Sequence, residues 1–170
     1  YTDNGTVPGI SGACDKDMYN GSVTSLVNNW VAKSTTQPPG AVIVDNSSGG
    51  FSASANWSTG TSAADKYGPD YRYRSTQSVS DPAVWTANLP SSKTYNVYAW
   101  WSQGSNRSAT APYIVAHSSG SATVYMNQQT NGGSWRLLGS WPMNAGSNQV
   151  SLSCWTTAGY VVIADAIKWE

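Results

Sequence analysis

The chain has 170 residues, enough for one domain of ordinary size with a sizeable core. Charged residues make up only 11%, nine Lys and Arg against nine Asp and Glu, so no field of either sign recruits nucleic acid or an anionic surface. Apolar runs such as 160–163 fall far short of the roughly 20 residues that cross a bilayer, and a soluble chain without membrane insertion is expected.

In chain order, Cys14 comes first, followed by Val23, Leu26, Val27, Trp30 and Val31 at the spacing of one helical face. Ser22 supplies a cap, Lys33 sits in the last turn and Pro38-Pro39 stop any continuation, which predicts a helix over 22–33. Residues 34–40, rich in Ser, Thr, Gln and Pro, read as a connector, so 1–42 is expected to be an appendage packed on a main domain of 43–170.

From Ala41 the pattern changes to short runs of β-branched and aromatic residues about every ten positions, separated by Gly, Ser, Asn and Pro. Strands are expected at 42–45, 51–57, 71–75, 83–86, 94–101, 113–117, 122–128, 135–141, 149–154 and 160–167, with Asn131-Gly132-Gly133 as a hairpin turn. No helix lies between them, so the expectation is an all-β, antiparallel sandwich with one short N-terminal helix. In 95–101, Tyr95, Val97, Ala99 and Trp101 share one face and Asn96, Tyr98 and Trp100 the other, and neither face is plainly polar. In the last strand Asp165 stands among Val161, Ile163, Ile167 and Trp169, and a buried acid there needs a hydrogen-bonding partner.

Ser, Thr, Asn and Gly replace charge, together with nine Trp, ten Tyr and a single Phe. Trp and Tyr carry a polar handle and favour half-wet positions, so a domain weighted this way makes contacts through rings. One Glu and one His exclude long charged helices and multi-histidine zinc centres. The composition is that of a secreted, extracellular β-protein, and the start at Tyr1 is that of a processed mature protein or an excised domain. Cys14 and Cys154 are the only cysteines; a disulfide between them contributes roughly 4 to 5 kcal/mol at most, and two unrelated buried thiols are the alternative. Sequons at Asn4, Asn20, Asn46, Asn56 and Asn106 carry glycan only in a eukaryotic source.

Several segments then match a known pattern. They are Val44-Asp45-Asn46, Gly50-Phe51, Trp57, Tyr67-Gly68-Pro69-Asp70-Tyr71-Arg72-Tyr73, Ala83-Val84-Trp85, and Tyr95 to Trp101. Further on come Asn106-Arg107, Ala111-Pro112-Tyr113, His117, Asn127-Gln128-Gln129, Asn131 to Trp135, Leu138-Gly139 and Tyr160 to Ala166. In order and spacing this resembles the golvesin C-terminal-like domain, also described as a xanthan-lyase carbohydrate-binding-like module, over about three quarters of the chain. The resemblance implies a jelly-roll-like β-sandwich that accompanies secreted hydrolases, lyases and amidases and binds polysaccharide. Residues 1–42 match nothing in it.

Catalytic templates are scarce. No nucleophile elbow, phosphate loop or dinucleotide fingerprint is present. His117 is a weak catalytic candidate, either in a triad or as a strand-end His with a structural hydrogen bond. Asp70, in a turn crowded with Tyr67, Tyr71, Arg72, Tyr73 and Arg74, is the other, for glycosidase-type chemistry or for pairing with Arg72 or Arg107. Asp45 and Asp165, each near a strand end, are weak metal candidates for Ca²⁺, with local turn bonding as the alternative; no other cofactor is expected.

The strongest candidates are rings beside planar polar groups. Sugars present C–H faces to Trp and Tyr and hydroxyls to Asn and Arg, which makes Tyr71, Tyr73, Trp100, Trp101, Asn106 and Arg107 a ligand-binding set, while Trp57, Trp85 and Trp169 belong to the core. The expected function is a monomeric, non-catalytic module that binds neutral or cell-wall polysaccharide. Substituting Trp101→Ala or Arg107→Ala is then expected to weaken binding and leave the thermal midpoint nearly unchanged. A small polysaccharide-degrading enzyme using Asp70 or His117, and an adhesion or structural domain, are the alternatives.

Overall fold

The computed structural model describes residues 40–170; the helix expected over 22–33, its packing and Cys14 lie outside the described residues. The chain forms β1 (Val42–Asp45), β2 (Phe51–Ser52), β3 (Ser58–Gly60), β4 (Tyr71–Ser75), β5 (Ala83–Leu89) and β6 (Lys93–Trp100). It continues through β7 (Ala111–His117), β8 (Gly120–Met126), β9 (Arg136–Met143), β10 (Gly146–Leu152), β11 (Val161–Ala164) and β12 (Ala166–Trp169). These form three sheets, ordered β1-β12-β6-β9, β2-β5-β10-β7-β8 and β11-β4-β3, and every strand pair is antiparallel. The all-β antiparallel sandwich expected from the strand pattern is the observed fold, and its jelly-roll-like form is the one the family resemblance implies.

The four- and five-stranded sheets bury one core between them. Tyr95, Val97, Ala99, Trp101, Ile167 and Trp169 from the first meet Trp85, Tyr113, Val115, Val150 and Leu152 from the second. The ambiguous strand β6 is thereby settled. Its Tyr95 side is dry, and its other side keeps Asn96 exposed and Tyr98 and Trp100 half-buried, with Lys168 Nζ over the Tyr98 ring at 4.3 Å. Trp57, Trp85 and Trp169 lie in the core as expected.

Three expectations fail for reasons local pattern does not carry, the first being 51–57, which is a strand only at Phe51–Ser52 because the chain turns there, with Trp57 N–H donating to Ser54 O at 3.1 Å. The run 160–167 is two strands, because the chain passes from the three-stranded sheet to the four-stranded one at Asp165. There the Asp165 carbonyl leaves the β4 ladder and, continuing the β1–β12 register, accepts from the Asn46 N–H at 2.9 Å, and also from Trp85 Nε1 at 3.1 Å. The turn at Asn131-Gly132-Gly133 does not close a hairpin. Asn131 and Gly133 have φ of 59° and 67°, as a tight turn demands. However, β8 and β9 belong to different sheets, and the turn is held instead by Gly133 N–H to Trp101 O at 3.0 Å and Gly132 N–H to Gln103 Oε1 at 3.0 Å. The tight hairpin of that region joins β7 to β8, where His117 pairs with Gly120.

No helix among the described residues is long and apolar enough to cross a membrane.

Candidate functional site

The small sheet carries the site. Tyr71 and Tyr73 stand two residues apart on β4, hence on the same face, with ring centroids 6.2 Å apart and planes at 47°. Gly60 on β3 pairs with Tyr71, and a β-carbon there would fall within 2.6 Å of Tyr71 Cε2 and Oη, so glycine is what lets the ring lie down across the strand. Tyr71 is buried by this contact and Tyr73 half-buried.

On the other flank the 102–108 loop is fastened to β11. Val161 N–H donates to Asn106 O at 3.0 Å, and Ser108 N–H donates to Val161 O at 2.8 Å. The Arg107 carbonyl accepts from Gln129 Nε2 at 3.0 Å. The loop therefore presents Asn106 and Arg107 toward β4. Arg107 Nη1 donates to Asn106 Oδ1 at 2.6 Å, which ties the guanidinium to the amide.

Between these flanks lies an open hollow of about 420 Å³, lined by Tyr71, Tyr73, Asn106 and Arg107 together with Thr59, Thr61 and Ser62. Four of the six expected ligand-binding residues thus converge. A smaller hollow of about 260 Å³ lies beyond Tyr73, with Asn56, Ser58 and Gln77 in its wall. The hydroxyl-bearing residues 59–62 were not singled out in the sequence, where a Ser, Thr and Gly run reads only as a turn.

The two tryptophans go elsewhere. Trp101 is 1% exposed and fills the core, with Nε1 donating to Thr130 O at 3.3 Å. Trp100 packs edge-on against Tyr67 and Trp135, at 5.5 and 5.4 Å between centroids, and donates to Asp65 O at 2.8 Å. The parity of β6 places Trp101 with the interior face, which corrects its placement in the ligand-binding set.

The catalytic candidates are separated. Asp70 accepts from Asn46 Nδ2 and forms no ion pair with Arg72 or Arg107. His117 stacks on Trp141 at 6.4 Å, and its Nδ1 accepts from Ser119 N–H at 3.3 Å at the hairpin end. Among the described residues nothing joins these two groups to each other or to the hollow.

Asp45 and Asp165 are brought near one another by the β1–β12 pairing, in which Asp45 lies opposite Ala166. Asp45 Oδ2 accepts from the Ser47 hydroxyl and, at 3.4 Å, from its N–H, so the local turn-bonding alternative is realised. Asp165 is fully buried and accepts from Tyr67 N–H at 3.1 Å, with Oδ1 unpartnered. Burial, reinforced by Asp45, Asp65 and Asp70, pushes its carboxyl up to about 7 despite the Tyr67 N–H. Burial likewise raises the Tyr67 hydroxyl, helped by Asp45 and Asp165. Among the described residues no three His, Cys, Asp or Glu side chains form a metal-holding group.

Cys154 is buried, with no disulfide partner among the described residues and its sulfur 3.3 Å from Arg74 Nε, while its expected partner Cys14 is outside the described residues. Arg74 is itself paired with Asp81 at 2.8 Å. Hydrogen bonds from Asn56 and Ser54, with Arg74 beside them, hold the Asp81 carboxyl below its ordinary range.

The profile of the Golvesin C-terminal domain matches residues 42–170. The chain belongs to the Golvesin C-terminal domain family. A xanthan lyase of Bacillus sp. (strain GL1) is 34% identical over 135 residues, which cover 76% of this chain and 14% of that protein. The solved structure of a Paenibacillus xanthan lyase matches with a TM-score of 0.71 at 37% identity, over 76% of this chain and 13% of that one. The Golvesin-type domain therefore spans about a seventh of these lyases. A family 35 carbohydrate-binding module from Cellvibrio japonicus has the same fold, with a TM-score of 0.58 at 14% identity over 76% of this chain and 92% of the module.

Proposed function

We propose that the domain is a non-catalytic, carbohydrate-binding module of an extracellular protein, which seats polysaccharide in the hollow beside β4. The observation that carries this reading is the meeting of Tyr71 and Tyr73 with Asn106 and Arg107 around one open hollow rimmed by Thr and Ser hydroxyls. Tyrosine rings take the C–H face of a pyranose, while the amide, guanidinium and hydroxyls exchange hydrogen bonds with its substituents. The lining holds no Asp, Glu or His, whereas glycoside cleavage needs two acids about 5 to 10 Å apart, and this favours holding a sugar over cutting it. Support also comes from the lyases that contain a similar domain and from the shared fold with a family 35 module.

The test is a glycan array and affinity electrophoresis in polysaccharide gels, xanthan among them, with the intact chain and a Tyr73→Ala variant. Retardation lost in the variant is the expected result. An intact chain that engages no glycan or polysaccharide overturns the reading.

A further inference from the structure

Arg107 is the one charged side chain in the lining of the hollow, and among the described residues no carboxylate reaches ion-pair distance of it. The acids of the domain are engaged elsewhere. Asp81 holds Arg74, Asp70 takes the Asn46 amide, Asp65 Oδ2 accepts from Gln103 N–H at 2.9 Å, and Asp165 is sealed in the interior. Arg74, the arginine of the neighbouring hollow, is neutralised by Asp81, so the two hollows differ in their net charge.

The Arg107 guanidinium is also set in place beforehand. Nη1 is fixed by Asn106 Oδ1, Nε points at Ser102 O at 3.5 Å, the Arg107 N–H donates to Gly104 O at 2.9 Å and its carbonyl accepts from Gln129, and the residues on either side of it, Asn106 and Ser108, are bonded to Val161 of β11. Nη2 has no hydrogen-bond partner among the described residues. A planar cation held in position, with donors to spare and no anion of its own, is complementary to a planar anion. Its neighbours at the hollow are hydroxyls and tyrosine rings, which fit a sugar.

We propose that the hollow recognises an acidic sugar, with the carboxylate of a uronate residue seated on Arg107 and the pyranose ring against Tyr73, while the buried Tyr71 supports Tyr73 from beneath. This rests on the carbohydrate-binding reading and specifies its substrate class. A carboxylate on a preset guanidinium is expected to favour the acidic ligand by about ten- to hundredfold over its uncharged counterpart.

Calorimetric titration tests it with oligosaccharides containing glucuronate or galacturonate, with the same oligosaccharides after reduction of the carboxyl to a primary alcohol, and with neutral oligosaccharides bearing a sulfate. The expected result is uronate binding at least tenfold tighter than binding of the reduced counterpart, weakening as NaCl rises from 0.05 to 0.5 M. Arg107→Gln should bring the ratio between acid and reduced forms close to one, and Arg107→Lys should restore part of it. The comparison of ligands on the unmodified chain stands even where a variant fails to fold. Reduced and acidic forms binding equally, or sulfated sugars preferred over uronates, overturns the uronate assignment and leaves the carbohydrate-binding reading intact; no binding by any of the three overturns both.

Discussion

The Tyr71 ring lies across Gly60, and a β-carbon at position 60 would fall within 2.6 Å of its Cε2 and Oη. Gly60 belongs to β3, the edge of the three-stranded sheet, so the sheet tolerates a methyl there while the ring does not. The Gly60→Ala variant is expected to lose about 1–3 kcal/mol of stability by forcing the buried Tyr71 ring aside, and to weaken glycan binding about tenfold. Denaturant titration and calorimetry on the same preparation check the two effects separately. Unchanged affinity would show that the ring position is irrelevant to binding.

Trp101 and Tyr73 make a contrasting pair. Trp101 is a core residue, so Trp101→Ala is expected to cost about 3–5 kcal/mol through the cavity it leaves. Tyr73 is half-buried at the hollow, so Tyr73→Ala should spare most of the stability and lose binding. Thermal midpoints beside affinities distinguish the roles, and a Trp101→Ala protein of normal midpoint would contradict its placement.

Gln128 is fully buried and ties three groups together. Its Nε2 donates to Ile163 O at 2.8 Å and Tyr113 Oη at 2.9 Å, and its Oε1 accepts from Ile163 N–H at 2.8 Å. A Gln128→Leu change leaves the amide and carbonyl of Ile163 dry and unpaired, a loss of about 2–4 kcal/mol. Equilibrium unfolding measures it. A loss under about 1 kcal/mol would mean that β11 finds other partners.

Asp165 gives stability a defined pH dependence. Its carboxyl titrates at about 7 in the fold, above the ordinary value of 3.8, so the folded state binds the extra proton between these limits. For this group stability is greatest below about pH 4, falls as pH rises through about 7, and levels off above, by up to about 4 kcal/mol. Asp165→Asn removes that dependence. The variant should therefore gain midpoint relative to the parent chain when pH is raised from 4.5 to 8. A difference between the two proteins that stays constant with pH would refute the shift.

The family and most strands were legible in the sequence because both are local. Val42–Asp45 and Tyr71–Ser75 show their β-branched and aromatic pattern over a few consecutive residues, and such a pattern survives in any surroundings. The break at Asp165 was not legible. It depends on Asn46 and Trp85, far away in sequence, drawing the Asp165 carbonyl from β4 toward β1 and the core. The turn at Asn131 to Gly133 has the residues a hairpin needs, but backbone conformation at a turn does not decide which sheet receives the next strand.

The same division holds for the hollow. Composition alone selected tyrosine, asparagine and arginine as its material, since ring faces and planar donors are properties of the residues themselves. Which rings belong to it was decided by tertiary structure: β6 carries apolar residues on both faces, and only the sheet packed against it turns Trp101 inward. Charge followed that rule too. The sequence determined a total of zero, nine against nine, and so pointed to a neutral ligand. The fold decided where each charge stands, pairing Arg74 with Asp81 and drawing Asp165 into the interior, and so left Arg107 at the hollow with no acid beside it among the described residues. A sum over the chain carries no positions, whereas recognition depends on the charge within a few ångströms of the ligand.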